Sequence, residues 1–282
     1  MFQPKKSLGQ NFLTDPNIAR KIVDVMSPSS DDIIVEIGPG KGILTSLLIP
    51  RVRHVVAVEI DHRAVEYLRA RMQRHQSLTI LHADILNVDL EQLSAQYHST
   101  LRVIGNIPYY ITTPILFYLI DHRQVIKDIQ MMMQREVAQR LTASRGSKQY
   151  GILSVTCQYV GAPQILFSVS PNAFYPKPRV DSAIVRLTFF PQLSPGSEEE
   201  FVFRQIVRGS FGKRRKTLRN GLKALGINEA ILKACGYDLD LRPEALTAVD
   251  FVGLTRSLIS LGVNGHALVK REINKIRRER TI

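Results

Sequence analysis

Short apolar runs recur along the first 190 residues of the chain, and stretches with the spacing of amphipathic helices separate them. The segment 64–75, AVEYLRARMQRH, is one of these helical stretches. Apolar strands that alternate with helices are typical of βαβ units, in which helices cover both faces of a parallel sheet. The pattern therefore predicts an α/β sheet domain, with strands expected at 33–37, 54–60, 78–84, 101–106, 127–134, 164–170 and 180–190.

The pattern changes after residue 190. Residues 191–200, PQLSPGSEEE, are rich in Pro, Gly, Ser and acidic side chains and have no period, which is typical of a linker. Helical spacing returns beyond them, and the final segment, 269–282, is basic. That segment is either a fraying helix that becomes ordered on RNA or a solubilising tail. We therefore expect three parts: a sheet domain at 1–190, a linker at 191–200 and a small all-helical domain at 201–282.

Charge is distributed unevenly between these parts. The chain carries a net charge of +13, and residues 200–282 contain seventeen Lys and Arg against eight Asp and Glu, a net of +9. A basic excess of this kind attracts polyanions, either nucleic acid or an anionic membrane surface. The basic excess therefore lies in the C-terminal third, which the change of pattern also separates from the sheet domain. On charge alone, its basic run FGKRRKTLRN could equally be a solvated helix face or a nuclear-import-like segment.

Other features of the composition narrow the class of protein. No run approaches the ~20 apolar residues that span a bilayer, and the N-terminus lacks the apolar core of a secretory signal. Cys157 and Cys235 are far apart, so we expect no disulfide framework and a reducing, cytoplasmic location. The seven histidines show no ligand spacing, so we expect no metal site.

A glycine-rich segment follows the first sheet strand. EIGPGKG, residues 36–42, places Gly38 and Gly40 where the backbone can approach a ligand closely before a helix begins. The spacing is G-x-G-x-G, which differs from the G-x-G-x-x-G of dinucleotide binders, and no P-loop pattern is present. The alternative interpretation is a tight turn that binds no ligand.

Two acids close the following strands. Glu59 ends the second strand, where a carboxylate can accept bonds from both ribose hydroxyls, although an exposed strand-end acid is the alternative. Asp84 ends the third strand and could accept a bond from an adenine amine, although alone it is better explained as a helix cap. On neighbouring strands, the carboxyl ends of strands one and three face the same crevice. Together with the glycines, these acids favour S-adenosylmethionine (SAM) over NAD.

The fourth strand runs into NIPYYITTP, residues 106–114, which contains no charged side chain. Pro108 fixes its own φ and restricts Ile107 to an extended conformation, so this loop presents its carbonyls rigidly. The Asn106 oxygen and the carbonyl of Ile107 or Pro108 could accept two bonds from one exocyclic amine, and Tyr109 could stack on a purine. The alternative is a turn whose aromatic ring packs in the core. Tyr110 has no assigned task.

The N-terminal segment SLGQNFLTD has two interpretations. Thr14 or Asp15 could cap a helix that has Pro16 in its first turn. Alternatively, the segment forms a flap over the cofactor, with Gln10 and Asn11 as hydrogen-bonding groups. The residues alone favour the helix entry.

Seven sequence blocks, in order, cover nearly the whole chain and resemble the bacterial small-subunit rRNA adenine N6,N6-dimethyltransferases. NIPY matches the [D/N]-x-P-[Y/F] motif of methyltransferases that act on adenine N6, and the motif positions show no departure from the family. The C-terminal helices and the basic tail diverge. The blocks are SLGQNFL, EIGPGKG, VVAVEID, HADIL, GNIPYYITTP, AFYPKPRVDSAIVRL and FGKRRKTLRN.

The resemblance implies a Rossmann-like SAM-dependent methyltransferase sheet with helices on both faces, an N-terminal cofactor flap at 1–30 and a small helical RNA-binding domain. Phe174 is placed by it on the face of the target base opposite Tyr109, with Asn106 and Pro108 completing the catalytic set. The implied cofactor-binding residues are Gln10, Asn11, Leu13, Gly38, Gly40, Glu59, Ile60, Asp84, Ile85 and Asn106. The implied RNA-binding residues are Lys213, Arg214, Arg215, Lys216 and Arg219.

The resemblance also implies an activity, the dimethylation of two adjacent adenosines in a hairpin loop near the 3′ end of small-subunit rRNA. The expected partner is that rRNA or the immature 30S subunit, and the enzyme is expected to be a monomer that binds neither membrane nor metal. Two alternatives stay open: a large-subunit rRNA adenine N6-methyltransferase of the antibiotic-resistance type, and an assembly factor that binds RNA without catalysis. An NAD dehydrogenase is disfavoured by the glycine spacing and by NIPY.

Overall fold

The structure is a computed structural model, and it describes residues 3–5, 8–72, 74–190, 196–212 and 216–265. Contacts between residues divide the chain into two units. The first unit consists of Met1–Gln139 and Gly161–Leu193, and the second of Arg140–Val160 and Ser194–Ile282.

The first unit contains the predicted α/β sheet. Seven strands lie in the order β4-β3-β2-β5-β6-β9-β7, and β1 and β8 form a separate antiparallel ribbon. The strands from β4 to β6 are parallel, whereas β9 runs antiparallel to both β6 and β7. Strand bounds in the described residues are β1 Phe12–Leu13, β2 Ile33–Ile37, β3 His54–Glu59, β4 Leu78–His82, β5 Leu101–Asn106, β6 Ile126–Gln134, β7 Gly161–Val169, β8 Phe174–Tyr175 and β9 Ser182–Phe189.

Helices precede, connect and follow the parallel strands. In the first part of the chain they are α1 Pro16–Met26, α2 Ile43–Leu48, α3 His62–Met72, α4 Leu90–Tyr97, α5 Thr112–Asp121 and α6 Arg135–Leu141. The predicted helix entry is confirmed at α1, where the Asp15 side chain accepts bonds from the backbone N–H groups of Asn17 and Ile18 and Pro16 occupies the first turn.

The strands read as apolar runs because helices cover both faces of the parallel sheet. Every residue of β2 is buried, including its alternate positions Ile34 and Glu36. The first unit has a core in which side chains of the sheet, such as Ile104 and Ile184, pack with Ile22 and Val23 of α1 and Leu48 of α2.

Strand register brings three loops to one edge of the sheet. Ile37, the last residue of β2, lies opposite Val58 of β3 and Gly105 of β5. The next residue of each strand or loop, namely Gly38, Glu59 and Asn106, therefore lies at the carboxyl edge. Strand β3 lies between β2 and β4, so the first and third predicted sheet strands are not direct neighbours, although their ends share this edge.

A buried cation holds the opposite end of the sheet. Arg102 of β5 donates to both oxygens of Asp128 in β6, with N–O distances of 2.7 and 2.8 Å, and to Asp32 at 2.7 Å. It also donates to the carbonyls of Met26 and Ser27. Hydrogen bonding to Asp128 raises the pKa of the guanidinium, despite its burial. The network ties two strands to the end of α1 and the entry to β2, away from the carboxyl edge.

The second unit is helical, and its described helices are α7 Ile152–Val160, α8 Glu198–Phe211, α9 Leu218–Ala224, α10 Glu229–Ala234 and α11 Ala248–Ser260. Its core contains Phe203 and Phe251 together with Tyr150 and Val155, which precede the last sheet strands in sequence. We expected a first domain that ran unbroken from 1 to 190, whereas residues 140–160 belong to the helical unit.

Candidate functional site

A cleft opens at the carboxyl edge of the first unit. The space between its walls, with open solvent at the mouth included, is about 1080 Å³. The cleft is lined mainly by residues 8–13, 36–41, 58–60, 83–85 and 106–111. Every predicted cofactor-binding residue is among them, and so are Pro108 and Tyr109.

The glycine loop forms one wall of the cleft, and its backbone conformation requires glycine. Gly38 and Gly40 have φ angles of +66° and +56°, in the left-handed region. A Cβ on Gly40 would lie 2.9 Å from the ring of Phe12, and one on Gly38 would lie 3.4 Å from the Asn106 carbonyl oxygen. The loop therefore brings bare backbone to the cleft, as the spacing of the glycines predicts.

Glu59 holds the glycine loop against the end of β3. Its Oε2 accepts a bond from the Gly40 N–H at 3.0 Å, and its Oε1 accepts one from the Asp61 N–H at 2.9 Å. The side chain is buried, and burial raises the pKa of its carboxyl. Each carboxylate oxygen can accept a second bond, so the group can still bind hydroxyls of a ligand.

Asp84 lies where both of its proposed roles need it, and the structure shows the first of them. It caps a short turn, because its Oδ1 accepts a bond from the Leu86 N–H at 3.0 Å, and it also lines the cleft. Ile60 and Ile85 also line the cleft, Ile60 with 53% of its surface exposed and Ile85 buried. Exposed apolar surface beside an acceptor is suited to a purine ring with an exocyclic amine.

Glu36 is a residue at the cleft that sequence reasoning missed. It is 2% exposed, and its Oε2 has no hydrogen-bond partner within the described part of the chain. Burial, with the nearby charge of Glu59, raises the pKa of this carboxyl to about 7. The signal was present in the sequence, since Glu36 is the one charged residue of the apolar run IIVEI before the glycines.

The N-terminal segment lies over the cleft and is fastened by a latch of three side chains, Gln10, Asp61 and Arg63. The Gln10 amide donates to Asp61 Oδ2 at 2.9 Å and accepts from the Lys5 N–H at 2.8 Å. Arg63 pairs with the same Asp61 oxygen at 2.6 Å, and these bonds lower the pKa of Asp61 to about 2. Gln10 therefore reaches the cleft wall with both polar groups of its amide already bonded.

The segment also contacts the loop that ends β5. The Asn106 amide nitrogen donates to the Asn11 carbonyl at 3.3 Å. The Asn106 Oδ1 atom makes no hydrogen bond within the described residues. Leu13 is buried and pairs with Phe174 across the β1–β8 ribbon.

Tyr109 is fixed at the rim of the cleft. Its hydroxyl lies 2.6 Å from Ser182 Oγ, and burial raises its pKa. The Pro108 carbonyl accepts bonds from the Ile111 N–H at 3.2 Å and from the Thr112 hydroxyl at 3.4 Å, which closes the turn. These two bonds and the proline ring restrict the backbone of the loop.

Phe174 does not line the cleft. It is 3% exposed and packs in the core of the first unit, whereas its neighbour Tyr175 is 56% exposed. Its stacking role stays a prediction.

The basic block FGKRRKTLRN belongs to the helical unit. Lys213, Arg214 and Arg215 lie outside the described residues. Lys216 is exposed, but Arg219 is paired with Glu229 at 2.9 Å and with Asp240 at 3.4 Å. The pairing reduces the positive charge that Arg219 offers to a phosphate.

The described ranges contain neither a metal-binding cluster nor a membrane-spanning helix. No group of three or more His, Cys, Asp or Glu side chains is arranged to hold a metal ion there. None of the helices there is long and apolar enough to cross a bilayer.

Comparisons with known proteins agree along most of the chain. A family model described as "Ribosomal RNA adenine dimethylase" matches residues 1–242. A relative from Ligilactobacillus salivarius, "Ribosomal RNA small subunit methyltransferase A", is 41% identical over 271 residues and 92% of each chain is covered. The crystal structure of a dimethyladenosine transferase from Plasmodium falciparum is 26% identical with a TM-score of 0.77, covering 90% of this chain and 99% of that one. The 23S rRNA methyltransferase ErmE is 25% identical with a TM-score of 0.69, covering 88% and 100% respectively.

Replacing Glu36 with Gln should change how stability depends on pH. An unfolded carboxyl ionises near pH 4.5, whereas the folded one keeps its proton up to about pH 7. The free energy of unfolding of the parent protein therefore falls as pH rises between these values, by on the order of 3 kcal/mol. Glu36→Gln lacks this loss, so its free energy of unfolding should rise relative to that of the parent as pH rises. Urea unfolding at pH 4.5 to 7.5 measures the difference.

The matched control is Glu66→Gln, at an exposed position on α3. Its free energy of unfolding should show the same pH dependence as that of the parent. A constant difference between the parent and Glu36→Gln from pH 4.5 to 7.5 would show that Glu36 is already ionised when buried.

Replacing Asp61 with Asn should loosen the N-terminal segment. The change removes the charge that holds Arg63 and Gln10, and a hydrogen bond to a charged group contributes about 1.5–3 kcal/mol. We expect faster hydrogen exchange in residues 8–13 and about tenfold weaker SAM binding by calorimetry. Asp24→Asn, which breaks the exposed pair with Arg51, is the control. Parent-like exchange and SAM affinity in Asp61→Asn would mean that the latch does not hold the segment.

Proposed function

The chain belongs to the ribosomal RNA adenine dimethylase family, and from that premise we propose that it dimethylates N6 of two adjacent adenosines in small-subunit rRNA. It is a SAM-dependent methyltransferase. The substrate we propose is the hairpin loop near the 3′ end of that rRNA, in free RNA or in the immature 30S subunit. We further propose that the enzyme acts as a cytoplasmic monomer and needs no metal.

One observation carries this proposal for the site. The amide of Asn106 is held by its nitrogen, which donates to the Asn11 carbonyl, so that its oxygen is available to accept a bond at the cleft. An uncharged acceptor on a rigid loop suits an exocyclic amine. A protonated general acid or a nucleophile is absent from residues 106–111, which contain only Asn, Ile, Pro and Tyr.

The residues of the cleft fit SAM. Gly38 and Gly40 line the cleft, where their backbone can approach the methionine part closely, and the unsatisfied Glu36 oxygen can accept from an ammonium group. Glu59 would hold the ribose hydroxyls, and Asp84 the adenine amine beside Ile60. When bound, SAM supplies a methyl group on a positively charged sulfur.

The NIPY loop would position the target adenine. Asn106 Oδ1 accepts one hydrogen of N6, and a backbone carbonyl accepts the other. Since the Pro108 carbonyl already accepts two bonds within the turn, the Ile107 carbonyl is the better second acceptor. Two acceptors favour a pyramidal nitrogen whose lone pair points out of the ring plane, and such alignment provides much of the rate enhancement.

Tyr109 offsets the cost of extruding the adenine from its stack. Extrusion costs a few kcal/mol, and stacking on an aromatic ring contributes roughly 1–3 kcal/mol per base. The hydrogen bond between the Tyr109 and Ser182 hydroxyls fixes the ring before the base arrives. The product of the first transfer has one N6 hydrogen, so one acceptor is unused in the second transfer and the loop must accommodate a bulkier nitrogen.

The similarity to ErmE supports one alternative activity, the methylation of large-subunit rRNA. The segment AFYPKPRVDSA, residues 173–183, favours the small-subunit substrate because it belongs to the blocks that resemble that family. Supplying both rRNAs in one reaction separates the two activities, since only the modified RNA stops primer extension.

Under-methylated small subunits incubated with SAM and this protein should yield N6,N6-dimethyladenosine by mass spectrometry of the rRNA. Asn106→Ala should lower the rate by about 10²–10³-fold, the cost of removing one positioned hydrogen-bonding group from a catalytic site. SAM affinity should change little, because the change leaves Glu59 and Asp84 in place. Asn17→Ala, on the exposed face of α1, should match the parent.

A large loss of SAM affinity in Asn106→Ala, with normal turnover at saturating SAM, would remove the role given to Asn106. Product on neither rRNA with the parent protein would remove the proposed activity itself.

Replacing Lys213, Arg214, Arg215 and Lys216 together by Ser should weaken RNA binding. If all four contact phosphates, the plot of log affinity against log salt should become flatter by about 3. The control replaces four exposed arginines on and near α3 by Ser, namely Arg53, Arg69, Arg71 and Arg74. An equal slope change in both variants would indicate a general charge effect, and an unchanged slope in the first would place the RNA contacts elsewhere.

A further inference from the structure

We propose that Tyr110 is a binding site for the RNA base next to the target adenosine, on which that base stacks once the adenosine has been extruded. The inference rests on the proposed function and deepens it. Tyr110 follows Tyr109 in the same short turn and lines the same cleft. The two neighbouring tyrosines therefore serve two successive bases.

The exposure of Tyr110 is unusual for a large aromatic side chain. It is 66% exposed, the largest exposure of any aromatic residue in the described part of the chain. Its hydroxyl makes no hydrogen bond within the described residues, in contrast to that of Tyr109, which lies 2.6 Å from Ser182 Oγ. The ring therefore contributes little to the core or to a hydrogen-bond network, and most of its surface faces solvent at the cleft.

The ring is nevertheless supported. Gly9 has a φ of +57°, and a Cβ at that position would lie 3.3 Å from both Cδ1 and Cε1 of Tyr110 and 3.5 Å from Cβ of Pro108. The bare Gly9 backbone thus fits closely against one side of the ring, and Pro108 restricts the start of the turn. A supported ring loses little freedom when a base stacks on it, which favours binding.

The chemistry of the reaction supplies the occupant. Extruding an adenine from its stack exposes the face of the neighbouring base to water. An aromatic ring beside the extrusion site can cover that face, and such stacking tolerates any base because every base has a π-face. The position at the rim of the cleft, next to the proposed stacking ring of Tyr109, fits an unpaired nucleotide that flanks the target.

The test uses the full-length protein and an RNA hairpin with 2-aminopurine beside the target adenosine. The proposal expects Tyr110→Ala to weaken hairpin binding by about 5- to 150-fold, the range for one base–aromatic stack, and to abolish the fluorescence change of 2-aminopurine. Tyr110→Phe and Tyr110→Trp should keep both. Tyr110→Leu keeps an apolar side chain against Gly9 but has no aromatic ring. It should lose as much hairpin affinity and fluorescence change as Tyr110→Ala.

SAM affinity, measured without RNA, distinguishes stacking from a role in closing the N-terminal segment. It should match the parent in all four variants. A loss of SAM affinity in Tyr110→Ala and Tyr110→Leu equal to the loss of hairpin affinity would show that Tyr110 only supports Gly9, which overturns the proposal. Parent-like hairpin binding and fluorescence in Tyr110→Ala would overturn it as well.

Tyr67→Ala, on α3 and outside the cleft, is the aromatic control and should bind the hairpin as the parent does. Failure of the proposed function has a separate signature. In that case the parent protein forms no dimethyladenosine in the hairpin, whatever the Tyr110 variants do to binding.

Discussion

The carboxylate of Glu59 joins the parts on which the cleft depends. It accepts the Gly40 N–H with one oxygen and the Asp61 N–H with the other, so the glycine loop and the end of β3 are fixed to each other. Asp61 in turn binds Gln10 of the N-terminal segment. Burying a carboxylate is costly unless it is hydrogen-bonded, and here the two backbone donors meet that requirement. A short chain of bonds thus runs from the loop after β2 to the segment that covers the cleft.

Three acids within this small region have different environments, and their protonation differs accordingly. Burial raises the pKa of Glu36 and of Glu59, whereas the Arg63 guanidinium lowers that of Asp61. Asp61 therefore keeps its negative charge, which binds Gln10 of the N-terminal segment and Arg63. The buried side of the cleft holds a carboxyl whose charge responds to what binds beside it. A cationic ligand group would favour ionisation of Glu36, and this links ligand binding to proton release.

The sequence predicted the sheet well because the central strands β2 and β3 are buried on both faces, which makes them nearly continuous apolar runs. It predicted the glycine loop because φ angles above zero leave few alternatives to glycine. It could not show that residues 140–160 pack with the helical unit, since Tyr150 and Val155 are as apolar as core residues of the sheet. The pairing of Arg219 with Glu229 and Asp240 was equally hidden, because a basic run does not reveal partners 10 and 21 residues away. The roles of the individual site residues stay predictions. This includes the stacking role of Phe174, which is buried and pairs with Leu13 of β1.

The ribbon of β1 and β8 imposes an order on the making of this protein. Leu13 pairs with Phe174, and the Thr14 N–H donates to the Ala173 carbonyl at 2.8 Å. The segment over the cleft has no partner strand until the ribosome has synthesised residue 175. At about 5–20 residues per second, it waits roughly 8–30 s after its own synthesis. The strands that carry the glycine loop, Glu59 and Asn106 are all synthesised during that interval, so the partner strand of the covering segment is the last part of the cofactor site to be made.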